Sequence, residues 1–331
     1  MNASSGPLRL TPQDGHAGTV ARGNRRGTPD PGNRTVRVDG GATTEAPVVI
    51  KLGGRALEAP GAIAEFAAAL ANLGRITLLV HGGGAEVTAW CARLGIEARF
   101  EQGLRVTDPA TLEVATAVLA GLANKRLVAA LRAHGVDSVG LAALDGGTLA
   151  VSAHPQAAQL GAVGAIDSVD PSLLLSLLAQ GRTPVMASIA ATAEGELLNV
   201  NADDVAAAIA AAVGASDLVL LSDTPGLKLA GEIVPVLDAA DLDATLARPD
   251  VGGGMVPKLL AAGAALAGGV ARAHIAAWSG PDTLVALLER GGPGTTLLER
   301  GSPGTTLSES GDPGTTQLAT AGTAPREDVH A

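Results

Sequence analysis

The chain has 331 residues, with 33 acidic against 23 basic side chains and a formal net charge of −10. With two Phe, two Trp and no Tyr, it offers neither the positive surface that attracts nucleic acid nor the aromatic platforms on which single-stranded bases stack. Hydrophobic residues make up 47%, mostly Ala, Val and Leu, enough for a sizeable core.

Cys91 is the only cysteine, so no internal disulfide can form; set among apolar residues, it reads as buried filler in a protein of the reducing cytoplasm. No apolar run approaches the length of a membrane span, and the N-terminus lacks the apolar segment of a signal peptide, so no membrane is expected as partner.

Residues 1–46 are rich in Gly, Thr, Arg, Pro and Asn and nearly without apolar periodicity. They read as a disordered extension, or as sequence ahead of a true start near residue 47. From Pro47 the pattern changes. Apolar runs at VVIKL (48–52), ITLLV (76–80), DSVGL (137–141), TPVMASIA (183–190), DLVLL (217–221) and ARAHIAA (271–277) predict buried strands. Between them, helices are predicted over Ala62–Leu73, Glu86–Leu94, Pro109–His134, Pro171–Gln180, Ala202–Val213, Val256–Ala267 and Asp282–Glu289. This alternation predicts an α/β fold, a mainly parallel sheet with helices on both faces. Ligands of such folds gather at the carboxyl ends of the strands. Length and a change near residue 214 suggest two lobes.

The C-terminus repeats with a period of ten: GGPGTTLLER (291–300), GSPGTTLSES (301–310) and GDPGTTQLAT (311–320). The units are too poor in apolar residues to stack as a solenoid. A short edge strand at Thr295–Leu297 is expected, followed by a disordered tail over 299–331.

Four strand ends carry unusual residues. Lys51 interrupts an apolar strand and precedes Gly53 and Gly54, a combination suited to an anion; a lysine snorkelling to the surface is the alternative. LLVHGGGAEV (78–87) places His81 and three glycines between a strand and a helix. Such a turn can be an oxyanion hole, an anion site or merely tight. In LLNVNADD (197–204), Asn199, Asn201, Asp203 and Asp204 are more than a helix cap requires. GGGMVPKLL (252–260) leads glycines into a helix that carries Lys258.

Two lysines, Gly-rich turns and one Asp suit phosphoryl transfer, which needs cations, N–H donors and alignment more than covalent help. The sequence holds no Walker GxxxxGK[ST], no kinase HRD or DFG, and no GxGxxG after the first strand. It holds no GxSxG either, which removes the esterase reading of HGGG.

Taken in order, VVIKLGG, LLVHGGG, GLRVTD (103–108), LANKRLV (122–128), LGAVGAID (160–167), LLNVNADD and GGGMVPKLL resemble the amino-acid kinases, and within them the N-acetyl-L-glutamate kinases, over about residues 47–298. The resemblance implies an open three-layer αβα sandwich in two lobes, 47–213 for N-acetyl-L-glutamate and 214–298 for ATP with Mg²⁺. The reaction it implies phosphorylates the γ-carboxylate to an acyl phosphate, the second step of arginine synthesis.

It further implies that Lys51 and Lys258 stabilise the transferring phosphoryl group and that Asp203 holds both lysines. Gly53 and Gly54 would donate N–H groups to phosphate. Gly83, Gly84, Arg105 and Asn199 would meet the substrate, Arg105 at its α-carboxylate. Asp223, Gly226, Leu227 and Lys228 of DTPGLK would line the nucleotide pocket. Mg²⁺ would sit on phosphates and water, without a protein cage. The helix from Pro109 resembles the family's dimer helix, so a homodimer is expected.

Alternatives are a kinase for a related carboxylate, such as carrier-linked aminoadipate in lysine synthesis, and a catalytically silent regulatory member of the fold. Arginine-inhibited members carry an amphipathic N-terminal helix that 1–46 does not resemble, so neither a hexamer nor strong arginine inhibition is expected. The repeats lie outside the family pattern, and deletion of 299–331 is expected to leave activity intact.

Overall fold

The computed structural model describes residues 35–37, 43–53, 61–101, 103–299, 306–308 and 317–319. Its centre is an eight-stranded sheet in the order Val236–Asp238, Thr295–Leu298, Arg272–Ala277, Asp217–Ser222, Val48–Leu52, Thr77–His81, Thr183–Ala187 and Ser138–Ala142. From Arg272–Ala277 through Ser138–Ala142 every pairing is parallel. Thr295–Leu298 joins antiparallel to Arg272–Ala277 and parallel to Val236–Asp238. The expected strand at Thr295–Leu297 is therefore present but not at the edge. Val236–Asp238, too short and polar to stand out in the sequence, covers it.

Side chains alternate between the faces of the sheet. Val48, Ile50, Leu52, Leu79, Val185, Val219 and Leu221 pack on one side beneath Phe66, Leu70, Leu127, Leu131, Leu284 and Leu287. Those residues come from the helices Ala62–Asn72, Asn124–Ala133 and Thr283–Arg290. Val49, Leu78, Val80, Met186, Leu218 and Leu220 pack on the other, with Val205, Ala206, Ile209, Leu259 and Ala262. These belong to the helices Ala202–Ala212 and Met255–Ala267. Three layers result. Lys51 shares the parity of Val49, so its side chain leaves the sheet on the face covered by the helices of Asp203 and Lys258.

A second, four-stranded sheet runs Ile189–Ala191, Leu197–Val200, Val163–Val169, Leu149–Ala153. The run TPVMASIA is not one strand. Ala187 ends in the large sheet, Ile189 begins the small one, and Ser188 between them accepts the Val200 N–H through its carbonyl.

Pro109–Ala133 is one continuous 25-residue helix. It starts on an Asp108 side chain that accepts the Thr111 N–H, with Pro109 in its first turn. Its middle, Ala117–Ala123, is wound as π-helix. Contrary to the sequence expectation, this helix is long and apolar enough to cross a membrane by length and composition. One side of it packs inside the protein: Val114, Ala115, Val118 and Leu119 lie with Val87, Ile189 and the buried Cys91, while Leu122 is exposed.

Thr35–Arg37 pairs with Thr43–Glu45, and Thr306–Ser308 with Gln317–Ala319, both antiparallel. These ladders fall in the stretches read as disordered; the rest of 1–42 and of 300–331 lies outside the described residues.

Candidate active site

The strand of Lys51 and the helices of Asp203 and Lys258 meet at the carboxyl end of the large sheet. Lys51 Nζ lies 2.7 Å from Asp203 Oδ1, a buried ion pair. Lys258 Nζ donates to Asp203 Oδ2 at 3.4 Å. All three side chains are buried. Burial by itself raises the Asp203 carboxyl, but Lys51 and Lys258 outweigh it and hold the group below the usual carboxylate range. Burial lowers the Lys51 ammonium, with Lys258 adding to this and Asp203 and Asp223 opposing it.

The helix of Asp203 begins at Asn201, whose Oδ1 accepts the Asp203 N–H at 2.8 Å. Asn201 is thus the cap, and its neighbours are free for other contacts. Asn199 lies two residues earlier on the small sheet and donates from Nδ2 to Thr107 Oγ1 at 3.3 Å.

Lys51 bends back over Gly53, where a β-carbon would stand 2.0 Å from Nζ. The Gly53 N–H donates to Leu221 O at 2.9 Å. Here the amide closes the end of the sheet, and the missing side chain makes room for the ammonium. Gly54 lies outside the described residues.

A cavity of about 220 Å³ opens beside these groups. It is lined by Lys51, Asp203, Gly82, Gly83, Gly84 and Arg105 among others, with Asn199 and Ser188 opposite apolar Val87 and Leu119. A β-carbon on Gly83 would come within 2.8 Å of Leu119 Cδ2, so the turn packs directly on the π-helical segment.

Arg105 is buried, and burial lowers its pKa; a guanidinium stays charged regardless. Its Nη2 donates to Gly84 O at 2.6 Å and Thr88 Oγ1 at 2.7 Å, and its plane lies 4.6 Å from the Phe100 ring centre. Nη1 is buried with no hydrogen-bond partner. A cation in a cavity wall with an unmatched donor suits a carboxylate.

His81 is also buried; burial lowers its imidazole pKa, the Gly82 carbonyl and Glu86 opposing. Its ring nitrogens face Gly82 O and Asn124.

The DTPGLK residues are separate. None of them is among the residues that line the 220 Å³ cavity. Gly226 and Leu227 are buried, Asp223 and Lys228 exposed. The Leu227 N–H donates to Thr295 Oγ1 at 2.8 Å, and Gly226 passes so close that a β-carbon would lie 2.9 Å from that oxygen. Asp223 is near enough for its charge to favour the Lys51 ammonium.

His274 is bound 3.2 Å from Asp217 and 3.0 Å from Thr296 inside the sheet. Sequence reasoning missed Phe100, Thr88, Thr107 and Asn124. Phe100 offered one signal, as one of two phenylalanines in the chain.

A mainly parallel sheet between two helix layers, with two lysines on one carboxylate beside a Gly-rich turn, suits a phosphoryl-transfer enzyme of the open α/β class. The profile of the amino acid kinase family matches residues 46–277. Acetylglutamate kinase of Koribacter versatilis is 41% identical over 246 residues, 73% of this chain and 94% of that protein. The chloroplastic acetylglutamate kinase of Arabidopsis thaliana is 40% identical over 235 residues, 69% of this chain and 68% of that one. Among solved structures, N-acetylglutamate synthase from Neisseria gonorrhoeae, complexed with coenzyme A and N-acetyl-glutamate, superimposes with a TM-score of 0.68 at 26% identity. That match covers 81% of this chain and 62% of the synthase. The chain belongs to the amino acid kinase family.

Proposed function

We propose that the chain transfers the γ-phosphoryl group of ATP to the γ-carboxylate of N-acetyl-L-glutamate, forming N-acetyl-L-glutamyl 5-phosphate for arginine synthesis. The carrying observation is Asp203 held between Lys51 and Lys258 beside a cavity with one guanidinium wall. Relatives named for this reaction, at about 40% identity over most of their length, support the same reading.

In this reading a carboxylate oxygen of the substrate attacks the γ-phosphorus as the bond to the ADP oxygen breaks. The nucleophile is already ionised near neutral pH, so no general base is required. Lys51 and Lys258 meet the charge on the transferring group from two elements, and Asp203 fixes both ammoniums before substrate arrives. Gly83 and Gly84 give backbone room and N–H groups, Arg105 pairs with the α-carboxylate through Nη1, and Asn199 meets the acylamino group. Asp223, Gly226, Leu227 and Lys228 border the nucleotide.

Asp203 is occupied by two cations, and no group of three or more His, Cys, Asp or Glu among the described residues forms a metal cluster. That donor set suits Mg²⁺ carried on ATP phosphates and water, where it neutralises phosphate charge. Residues 47–213 serve the substrate and 214–298 the nucleotide. A cytoplasmic homodimer joined along the helix from Pro109 completes the reading.

ADP release with N-acetylglutamate, glutamate and aminoadipate as separate acceptors tests it. Turnover on N-acetylglutamate alone is expected. Preference for aminoadipate would move the chain to a related pathway, and no turnover on any would make it a silent member of the fold.

A further inference from the structure

Asn124 sits at the junction where the π-helical segment Ala117–Ala123 returns to α-helix, and it is wholly buried. Its Nδ2 donates to Val185 O at 2.9 Å, with Leu141 O at 3.3 Å, and lies 3.1 Å from His81 Nε2. Its Oδ1 accepts from Lys125 Nζ at 3.1 Å. Carbonyls can only accept and an ammonium can only donate, so these neighbours fix which end of the amide is nitrogen. The amide nitrogen, which cannot accept, therefore faces His81 and shares its two hydrogens among Nε2, Val185 O and Leu141 O.

That leaves Nε2 of His81 as an acceptor, without a proton. The proton sits on Nδ1, which donates to Gly82 O at 2.9 Å. In a trans peptide the next N–H points opposite to the carbonyl. The bond that draws Gly82 O to the imidazole thus turns the Gly83 N–H away from it. Burial, which keeps the ring neutral, agrees with this tautomer.

Gly140 protects the arrangement: a β-carbon there would fall 2.1 Å from Asn124 Oδ1 and 2.7 Å from Lys125 Nζ. The same helix presses Leu119 against Gly83. One helix thus sets both the back of the turn and its hydrogen-bond polarity.

We propose that Asn124 is a positioning residue for substrate binding, acting by holding His81 in its Nδ1–H tautomer so that the Gly83 N–H faces the substrate cavity. The substrate half of this rests on the function proposed above; the tautomer half does not.

Nitrogen-15 NMR of histidine-labelled, ligand-free enzyme at neutral pH should show His81 neutral with an unprotonated Nε2. Asn124→Leu should weaken that preference. It should raise the KM for N-acetylglutamate about tenfold or more, while the KM for ATP stays within about twofold. Gly140→Ala, which displaces the same amide from the other side, should shift the spectrum and KM in the same direction.

A protonated Nε2 in the wild-type spectrum overturns the proposal, as does an unchanged KM in a folded Asn124→Leu. Should that variant fail to fold, the wild-type spectrum and Gly140→Ala decide. Absence of wild-type turnover on N-acetylglutamate would sink the proposed function alone, since the spectrum is read without substrate.

Discussion

Lys51 Nζ occupies the space in which a side chain at Gly53 would begin: a β-carbon there would lie 2.0 Å from it. The ammonium cannot simply swing aside, because it is bound to Asp203. Gly53→Ala should therefore act through Lys51. We expect kcat to fall about tenfold, with the fold retained, because Gly53 needs no left-handed backbone conformation. Steady-state kinetics with thermal unfolding checks this. Unchanged kcat would show that Lys51 takes another position during turnover.

Removing one lysine from the Asp203 cluster should expose the chemistry directly. Lys51→Ala and Lys258→Ala should each lower kcat about 100-fold or more, the scale of one preorganised charge contact. Asp203→Ala leaves two buried cations facing each other and should also cost about 3–5 kcal/mol of stability. Denaturant unfolding separates that loss from the kinetic one. Near-normal kcat in Lys258→Ala would refute the two-lysine mechanism.

Arg105 combines two bonds from Nη2, to Gly84 O and Thr88 Oγ1, with stacking on Phe100. Arg105→Ala should chiefly raise the KM for the carboxylate substrate. Arg105→Lys should rescue little, because a point charge cannot reproduce the fork. Phe100→Ala should give a smaller rise in the same constant, since a cation over an exposed ring contributes about 0.5–1 kcal/mol. A fall in kcat at constant KM in either Arg105 variant would place Arg105 on the reacting group instead.

The clustered charges of the candidate site were legible because they break local rules. Lys51 sits in an apolar strand, and Asn199, Asn201, Asp203 and Asp204 exceed what a cap needs. Strands of the large sheet were legible because both faces are covered, which makes them continuous apolar runs. The small sheet was not. Leu149–Ala153 alternates buried and exposed residues over only its first four positions, and TPVMASIA changes sheets at Ser188 without a change in composition. The π-helical turn AVLAGLA reads as ordinary helix, so the placement of Asn124 could come only from three dimensions. Thr295 was visible only as part of a repeat, and its bond to Leu227 spans 68 residues.

Asp204, beside the lysine-bound carboxylate of Asp203, gives a pH signature. Burial first and the charge of Asp203 second push its carboxyl up to about 6, with Lys51 opposing. It lines a second cavity with Ala207, Ala208 and Leu260, but the residue as a whole is solvent-exposed. Solvent screening therefore keeps the accompanying stability change small. The sign is fixed by proton linkage: the native state holds the Asp204 proton over a range in which the unfolded chain has released it. Its contribution to stability is complete below the unfolded value near 3.8 and is lost as pH rises through about 6. Carbon-13 titration of the carboxyl should give a midpoint near the higher figure. Asp204→Asn should flatten the stability profile across that interval. Asp203→Asn, by removing the adjacent negative charge, should lower the Asp204 midpoint. A wild-type midpoint at the ordinary aspartate value would show that solvent reaches the carboxyl freely and that Asp203 and Asp204 ionise independently.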